Sequence, residues 1–186
     1  FAQDKTIKKL YQKGRKWSLE YFETIYKRLG TKFDQYYFES EVGKTGLAVV
    51  QKGLAQGIFE ESDGAIIFPG EKYGLHNRVF ITGEDFPTYE AKDMGLGVLQ
   101  FKEYNPDLII HVVGPEQAGY FQVVFEALSQ TLPKSKGKEL HFIYGWVQLK
   151  EGKMSSRKGN VVTGRWLLDE AKKKAASILA NSKENY

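Results

Sequence analysis

The sequence predicts an α/β fold: an open sheet of parallel strands with a small antiparallel element inserted ahead of it. Three observations carry that expectation. Asp107-Leu108-Ile109-Ile110-His111-Val112-Val113 is a largely apolar run ending at Gly114, which is how a strand buried on both faces reads. A helical stretch, Gln117–Leu132, comes next, and a second apolar strand, His141–Leu149, follows it. Strand, helix and strand in that order form a right-handed parallel unit. Upstream, the turn signals Asp63-Gly64 and Pro69-Gly70 punctuate Ala65-Ile66-Ile67-Phe68 and Arg78-Val79-Phe80-Ile81, the pattern of short antiparallel strands.

The remaining elements follow in chain order. Lys5, Lys8, Lys9, Lys13, Arg15 and Lys16 surround Ile7, Leu10 and Tyr11, which reads as a short basic helix or a solvated arm. A clearer helix comes after it. Ser18 can cap it, Leu19, Phe22, Ile25, Tyr26 and Leu29 fall at helical spacing, and Gly30 is a natural stop. Thr31–Phe38 alternates and is aromatic-rich, which predicts a strand running into Glu39 and Ser40. Val42–Leu54 predicts an amphipathic helix with Leu47, Val50 and Leu54 on one face. Helical character returns from Thr88 to about Phe101, and Ala171–Lys183 forms an Ala- and Lys-rich helical tail.

Composition narrows the function classes. The chain has 186 residues, 41% of them hydrophobic and 27% charged, with a formal net charge of +4. That is too apolar for disorder and long enough to bury a core. The count of cysteines is 0, which excludes disulfide frameworks, thiolate zinc sites and cysteine nucleophiles. His76, His111 and His141 are too scattered in sequence to suggest a three-histidine metal site, so no metal ligands are expected. No run approaches the roughly 20 apolar residues of a membrane-spanning helix. Phe1–Leu10 has no apolar signal-peptide core, and the absence of an initiator methionine fits a piece of a longer protein.

In open parallel sheets ligands sit beyond the carboxyl ends of the strands, which here are Val113–Gln117 and Val147–Lys153. The second of these leads through Gly152 into Lys153-Met154-Ser155-Ser156-Arg157-Lys158-Gly159-Asn160. Three cations, two hydroxyls and two glycines suit a polyphosphate whose charge grows during group transfer. A solvated surface run is the ordinary reading of such a cluster, and on this stretch alone the two readings balance. Tyr89 and Asp93 are four residues apart and share a helix face, which by itself reads as an ordinary exposed face. His111 ends a predicted buried strand, and Gly114 leaves room for close approach; a lone strand histidine is more often a hydrogen-bonded core residue. Gly145 and Val147 could offer backbone to an adenine edge or belong to a plain strand. The N-terminal lysines read as solvated more readily than as phosphate contacts.

The basic loop resembles the K-M-S-K-S signature of class I aminoacyl-tRNA synthetases, and in detail the K-M-S-[ST]-R-K-G-N form of arginyl-tRNA synthetases. Val161-Val162-Thr163 and Leu167-Leu168-Asp169-Glu170-Ala171 continue the likeness. Earlier matches are Phe33-Asp34, Glu39-Ser40, Pro87-Thr88-Tyr89-Glu90-Ala91-Lys92-Asp93 and His111-Val112-Val113-Gly114 with Gln117. These collinear matches span most of the chain.

The resemblance implies the second half of a Rossmann-type catalytic domain over residues 1–163 and a helical segment over 164–186 leading towards an anticodon-binding domain. It implies ATP-dependent activation of L-arginine and transfer to tRNA-Arg, with Mg²⁺ accompanying ATP and no tightly bound cofactor. Lys153, Ser155, Ser156 and Lys158 would form the catalytic loop, and Met154 would pack near the adenine. The commonest signature has lysine where Ser156 stands, so Lys158 is the replacement cation. Glu39, Tyr89, Asp93 and Gln117 would form the arginine pocket. That chemistry is sound, because carboxylates and an aromatic surface suit a planar five-donor cation. His111, Gly114, Gly145 and Val147 would meet ATP. The parent would be a cytoplasmic, monomeric protein with no membrane association. The family's H-x-G-H signature is not in the sequence: Asn77-Arg78 follows His76, and Val112-Val113-Gly114 follows His111. The expectation is therefore an internal piece of the catalytic domain. Two other readings remain open: a class I synthetase for another amino acid, and a non-catalytic nucleotide- or RNA-binding module.

Overall fold

The computed structural model of the chain describes residues 4–145 and 162–183. These divide into two compact units, residues 4–35 with 162–183 and residues 36–145. Sequence reasoning drew its one boundary at 163 and did not group the two ends of the chain.

In the first unit, α1 spans Lys5–Leu29 as one helix of 25 residues. It replaces the basic arm and separate Ser18-capped helix expected from the sequence. The cap is Asp4, whose carboxylate accepts from the Thr6 N–H at 2.7 Å and the Ile7 N–H at 3.2 Å. Gly14 costs a helix about 1 kcal/mol against alanine but does not break it, so the favourable run continues through Ser18. Gly30 does stop the helix, at φ 70°, with its N–H on Lys27 O and the Thr31 N–H on Tyr26 O. This paired closure needs a left-handed residue. The second helix of this unit, called α5 because three helices intervene, covers Gly164–Lys183. Arg28 Nη1 on α1 pairs with Asp169 Oδ1 on α5 at 2.7 Å.

The second unit carries the sheets. Thr31–Phe38 is not a strand: the residues run without regular structure, and Phe38, extended at φ -112° and ψ 143°, leads directly into α2, Glu39–Ala55. Strand geometry needs a neighbour for its backbone groups, and no described strand pairs there. After α2 come β1 Glu60–Ser62, β2 Ala65–Phe68 and β3 Arg78–Ile81, forming an antiparallel sheet in that order. Asp63 and Gly64, at φ 48° and 76°, make the tight turn that joins the first two. The helix α3 spans Tyr89–Glu103. Then β4, Ile109–Val113, pairs in parallel with β5, Glu139–Ile143, across α4, Ala118–Thr131.

Two expectations for this parallel pair need correction. The second strand starts at Glu139, two residues earlier than expected. Neither strand is buried on both faces: burial alternates along β4, with Val112 60% exposed and Phe142 of β5 56% exposed. One face packs on α4, and no described element covers the other.

The core joins the antiparallel sheet to α2, α3 and α4. Phe59, Phe68 and Phe80 meet at ring-centroid distances of 5.0 to 6.3 Å, and Val50, Met94, Phe101, Val123 and Leu128 belong to the same cluster. Burying each such side chain contributes roughly 2 kcal/mol. The helices α2 and α3 touch through backbone. A Cβ on Gly46 would sit 1.9 Å from Ala91 O, and one on Gly95 would sit 2.2 Å from Val42 O, so only glycine permits this approach.

Candidate functional site

The site forms where the first turn of α3 meets the start of α4. Thr88 sets the first of these. Its hydroxyl donates to Val79 O at 2.9 Å, and its N–H donates to Phe80 O at 3.0 Å. The start of α3 is thereby pinned to β3, which puts Tyr89, Glu90 and Asp93 beside Arg78. From the other side, a 3-10 turn at Pro115–Gln117 runs straight into α4 and brings Glu116, Gln117 and Tyr120 forward. Together Arg78, Tyr89, Glu90, Asp93, Glu116, Gln117 and Tyr120 line a pocket of about 470 Å³. Three carboxylates face one guanidinium, so the lining favours a cationic ligand.

Asp93 is the best-placed acid. Its Oδ2 accepts from the Tyr120 hydroxyl at 2.5 Å. Burial pushes the Asp93 carboxyl above the usual range, Glu90 and Glu39 add to the rise, and Tyr120 and His111 oppose it. Burial, followed by the bond to Asp93, drives the Tyr120 phenol far above its ordinary range, so Tyr120 remains a donor. Arg78 Nη1 pairs with Glu90 Oε1 at 3.0 Å, and its guanidinium carbon lies 5.3 Å from the Tyr120 ring centroid.

Of the four residues expected to form the pocket, Tyr89, Asp93 and Gln117 are brought together. Glu39 is not in the lining. Its carboxylate, 65% exposed, is held by Lys92 Nζ at 2.7 Å, and Lys92 also lies 4.8 Å from the Tyr89 ring centroid. The lining acids besides Asp93 are Glu90 and Glu116, which sequence reasoning missed along with Arg78 and Tyr120. Glu90 directly follows Tyr89, and Tyr120 is three residues past Gln117 at the head of a helix, so spacing carried a usable signal for both.

The residues expected at ATP separate further. His111 does not end its strand; it sits in the middle of β4, facing α4 rather than the pocket. Its Nε2 lies 2.6 Å from Glu139 Oε2, and its ring lies 4.9 Å from that of Phe121 and 5.1 Å from that of Phe125. Gly114 is buried and follows β4, but the Glu116 carboxylate lies 2.5 Å from where a Cβ would be, so the room it leaves is already taken. Gly145 follows β5, and among the described residues nothing lies within 4 Å of where its Cβ would be. Val147, Lys153, Met154, Ser155, Ser156 and Lys158 lie outside the described residues. Among the described residues no three His, Asp or Glu side chains gather as metal ligands.

A family model described as tRNA synthetases class I (R), catalytic domain, matches residues 2–186. The chain belongs to this family. Arginine–tRNA ligases are among its relatives: that of Porphyromonas gingivalis is 37% identical over 97% of this chain, and that of Bacteroides fragilis is 35% identical over 98%. The chain spans about 30% of the length of these relatives. Arginyl-tRNA synthetase structures share the fold. The Plasmodium falciparum enzyme aligns over 100% of this chain and 31% of its own, with TM-score 0.79 and 20% identity. The Thermus thermophilus enzyme aligns over 85% of this chain and 33% of its own, with TM-score 0.61 and 20% identity.

Proposed function

We propose that the chain supplies the amino-acid pocket and the phosphate-facing loop of an arginine–tRNA ligase. The observation that carries this reading is the acidic pocket at the start of α3, in which the half-buried Asp93 accepts from Tyr120 while Tyr89 and Gln117 line the walls. A guanidinium presents five donors in one plane, and a carboxylate set beside aromatic rings matches it better than it matches a compact ammonium. The strand–helix–strand of β4, α4 and β5 would be the second half of a Rossmann-type sheet, with residues 164–186 leading towards the anticodon-binding part.

The chemistry divides into two balanced steps. The arginine carboxylate oxygen attacks the α-phosphorus of ATP while the bond to the pyrophosphate breaks, giving arginyl adenylate and pyrophosphate. A ribose hydroxyl of tRNA-Arg then attacks the acyl carbon, loses its proton and releases AMP. The first attack needs no general base, because the carboxylate is already ionised, so rate comes from positioning and charge stabilisation. Lys153, aided by Lys158 in place of a lysine at Ser156, would neutralise the departing pyrophosphate. Ser155 would hold the loop and Met154 would pack near the adenine. Mg²⁺ would arrive on the phosphate oxygens of ATP. Gly145 and Val147 would offer backbone to the adenine edge. His111 would act from below the sheet through Glu139 and α4, and Glu39 through its field on Asp93.

The test is ATP–pyrophosphate exchange by the full-length protein that carries this chain. Exchange should require arginine and stay at background with lysine. Exchange driven equally by another amino acid would replace this reading with that of a class I synthetase of different specificity.

A further inference from the structure

We infer that Arg78 is a specificity-determining residue of the acidic pocket: by occupying Glu90 and lying over the Tyr120 ring, it leaves Asp93 and Glu116 as the acids open to ligand. The inference rests on the reading of this pocket as the arginine site. Arg78 is the first residue of β3, fixed opposite Phe68 in the sheet, so its guanidinium enters the pocket from a rigid element. It binds Glu90 end-on through Nη1 at 3.0 Å and stacks at 5.3 Å from the Tyr120 centroid. Its Nε is buried and has no acceptor. A residue whose sole task was to tie β3 to α3 would not leave a buried donor unpaired, since that is a cost to the fold. The pocket explains the choice. Three acids in one cavity would hold any cation, and an ammonium is a point charge that pairs with whichever carboxylate is free. With Glu90 taken, the cation that fits is the one able to use the remaining acids and the ring faces together. Selectivity of this kind is a difference between two affinities and can be built by withdrawing the partner that a competitor would use.

The experiment is calorimetric titration of the full-length protein with L-arginine and with L-lysine, comparing wild type, R78M, R78Q, R78K and the double variant R78M/E90Q. The quantity read is the ratio of the lysine to the arginine dissociation constant. In R78M and R78Q it should fall by roughly fivefold or more, because a freed Glu90 offers lysine its partner. In R78K, which keeps the cation on Glu90, it should fall less than in R78Q. In the double variant, which removes the freed acid with its partner, it should return towards the wild-type value. A common weakening of both ligands, with the ratio moved less than about fivefold, would reduce Arg78 to a structural residue. A double variant no more selective than R78M would also overturn the inference. If R78M fails to fold, R78Q and R78K decide the question by the same ratio. Wild-type protein that binds no arginine would instead overturn the assignment of the pocket itself.

Discussion

Asp93 does two opposed things. Its ionised form is what a guanidinium needs, yet burial makes that form costly. Asp93→Asn should therefore weaken arginine binding by on the order of 2–3 kcal/mol while leaving ATP affinity nearly unchanged; equal arginine affinity in both proteins would remove Asp93 from the pocket. Stability should move the other way. The folded-state pKa lies above the ordinary 3.8, so the folded protein holds the proton more tightly than the unfolded chain does. The charged carboxylate thus costs stability above the folded-state pKa, and that cost fades as pH falls through it towards 3.8. At neutral pH the asparagine variant should melt no lower than wild type, and any advantage should shrink as the buffer is acidified across that window. Arginine affinity in wild type should decline over the same window, starting above the pH at which an ordinary aspartate titrates.

Among the elements, the contact between α2 and α3 is the least tolerant. Gly46→Ala puts a methyl 1.9 Å from the Ala91 carbonyl oxygen, so the helices must separate. The expected loss is on the order of 3 kcal/mol, read by denaturant unfolding. Because α3 carries the pocket, arginine affinity should fall with it, and a variant as stable as wild type would show that the helices have slack. The basic loop carries its own prediction. In the full-length protein, Lys153→Ala should slow adenylate formation far more than it raises the dissociation constant for ATP, because the cation gains most as charge develops on the leaving pyrophosphate. About 2–4 kcal/mol of transition-state stabilisation is reasonable for one such group, with a smaller effect at Lys158. Single-turnover kinetics separate this from a plain loss of ATP binding. The elements were legible in the sequence wherever punctuation was local. Asp63-Gly64 announced the turn before β2, Gly30 the end of α1, and the apolar run β4. Thr31–Phe38 misled because alternation cannot report a missing partner strand. That Glu39 pairs with Lys92 could not be read from the sequence, because Lys92 comes from another helix. Arg78 and Tyr120 became visible only once β3 and α4 had been brought to α3.

For the chain as a whole, the proposed function carries a prediction: the H-x-G-H that the resemblance would put at the ATP phosphates is not in this sequence. Purified by itself, the chain should catalyse no arginine-dependent ATP–pyrophosphate exchange above a control without enzyme, because positioning and charge stabilisation would both be incomplete. The uncovered face of the parallel pair has a further consequence, for handling in solution. Ile110 and Val112 stand opposite Leu140 and Phe142 in register, and all four are exposed. They form one continuous greasy tile, and an exposed apolar patch of this kind invites association. Concentrated samples of the isolated chain should therefore scatter light, light up the dye anilinonaphthalene sulfonate, and sediment faster as concentration rises. Placing lysine at Val112 and Phe142 should quench the dye signal and abolish the concentration dependence with little change in melting temperature, because neither side chain supports the core.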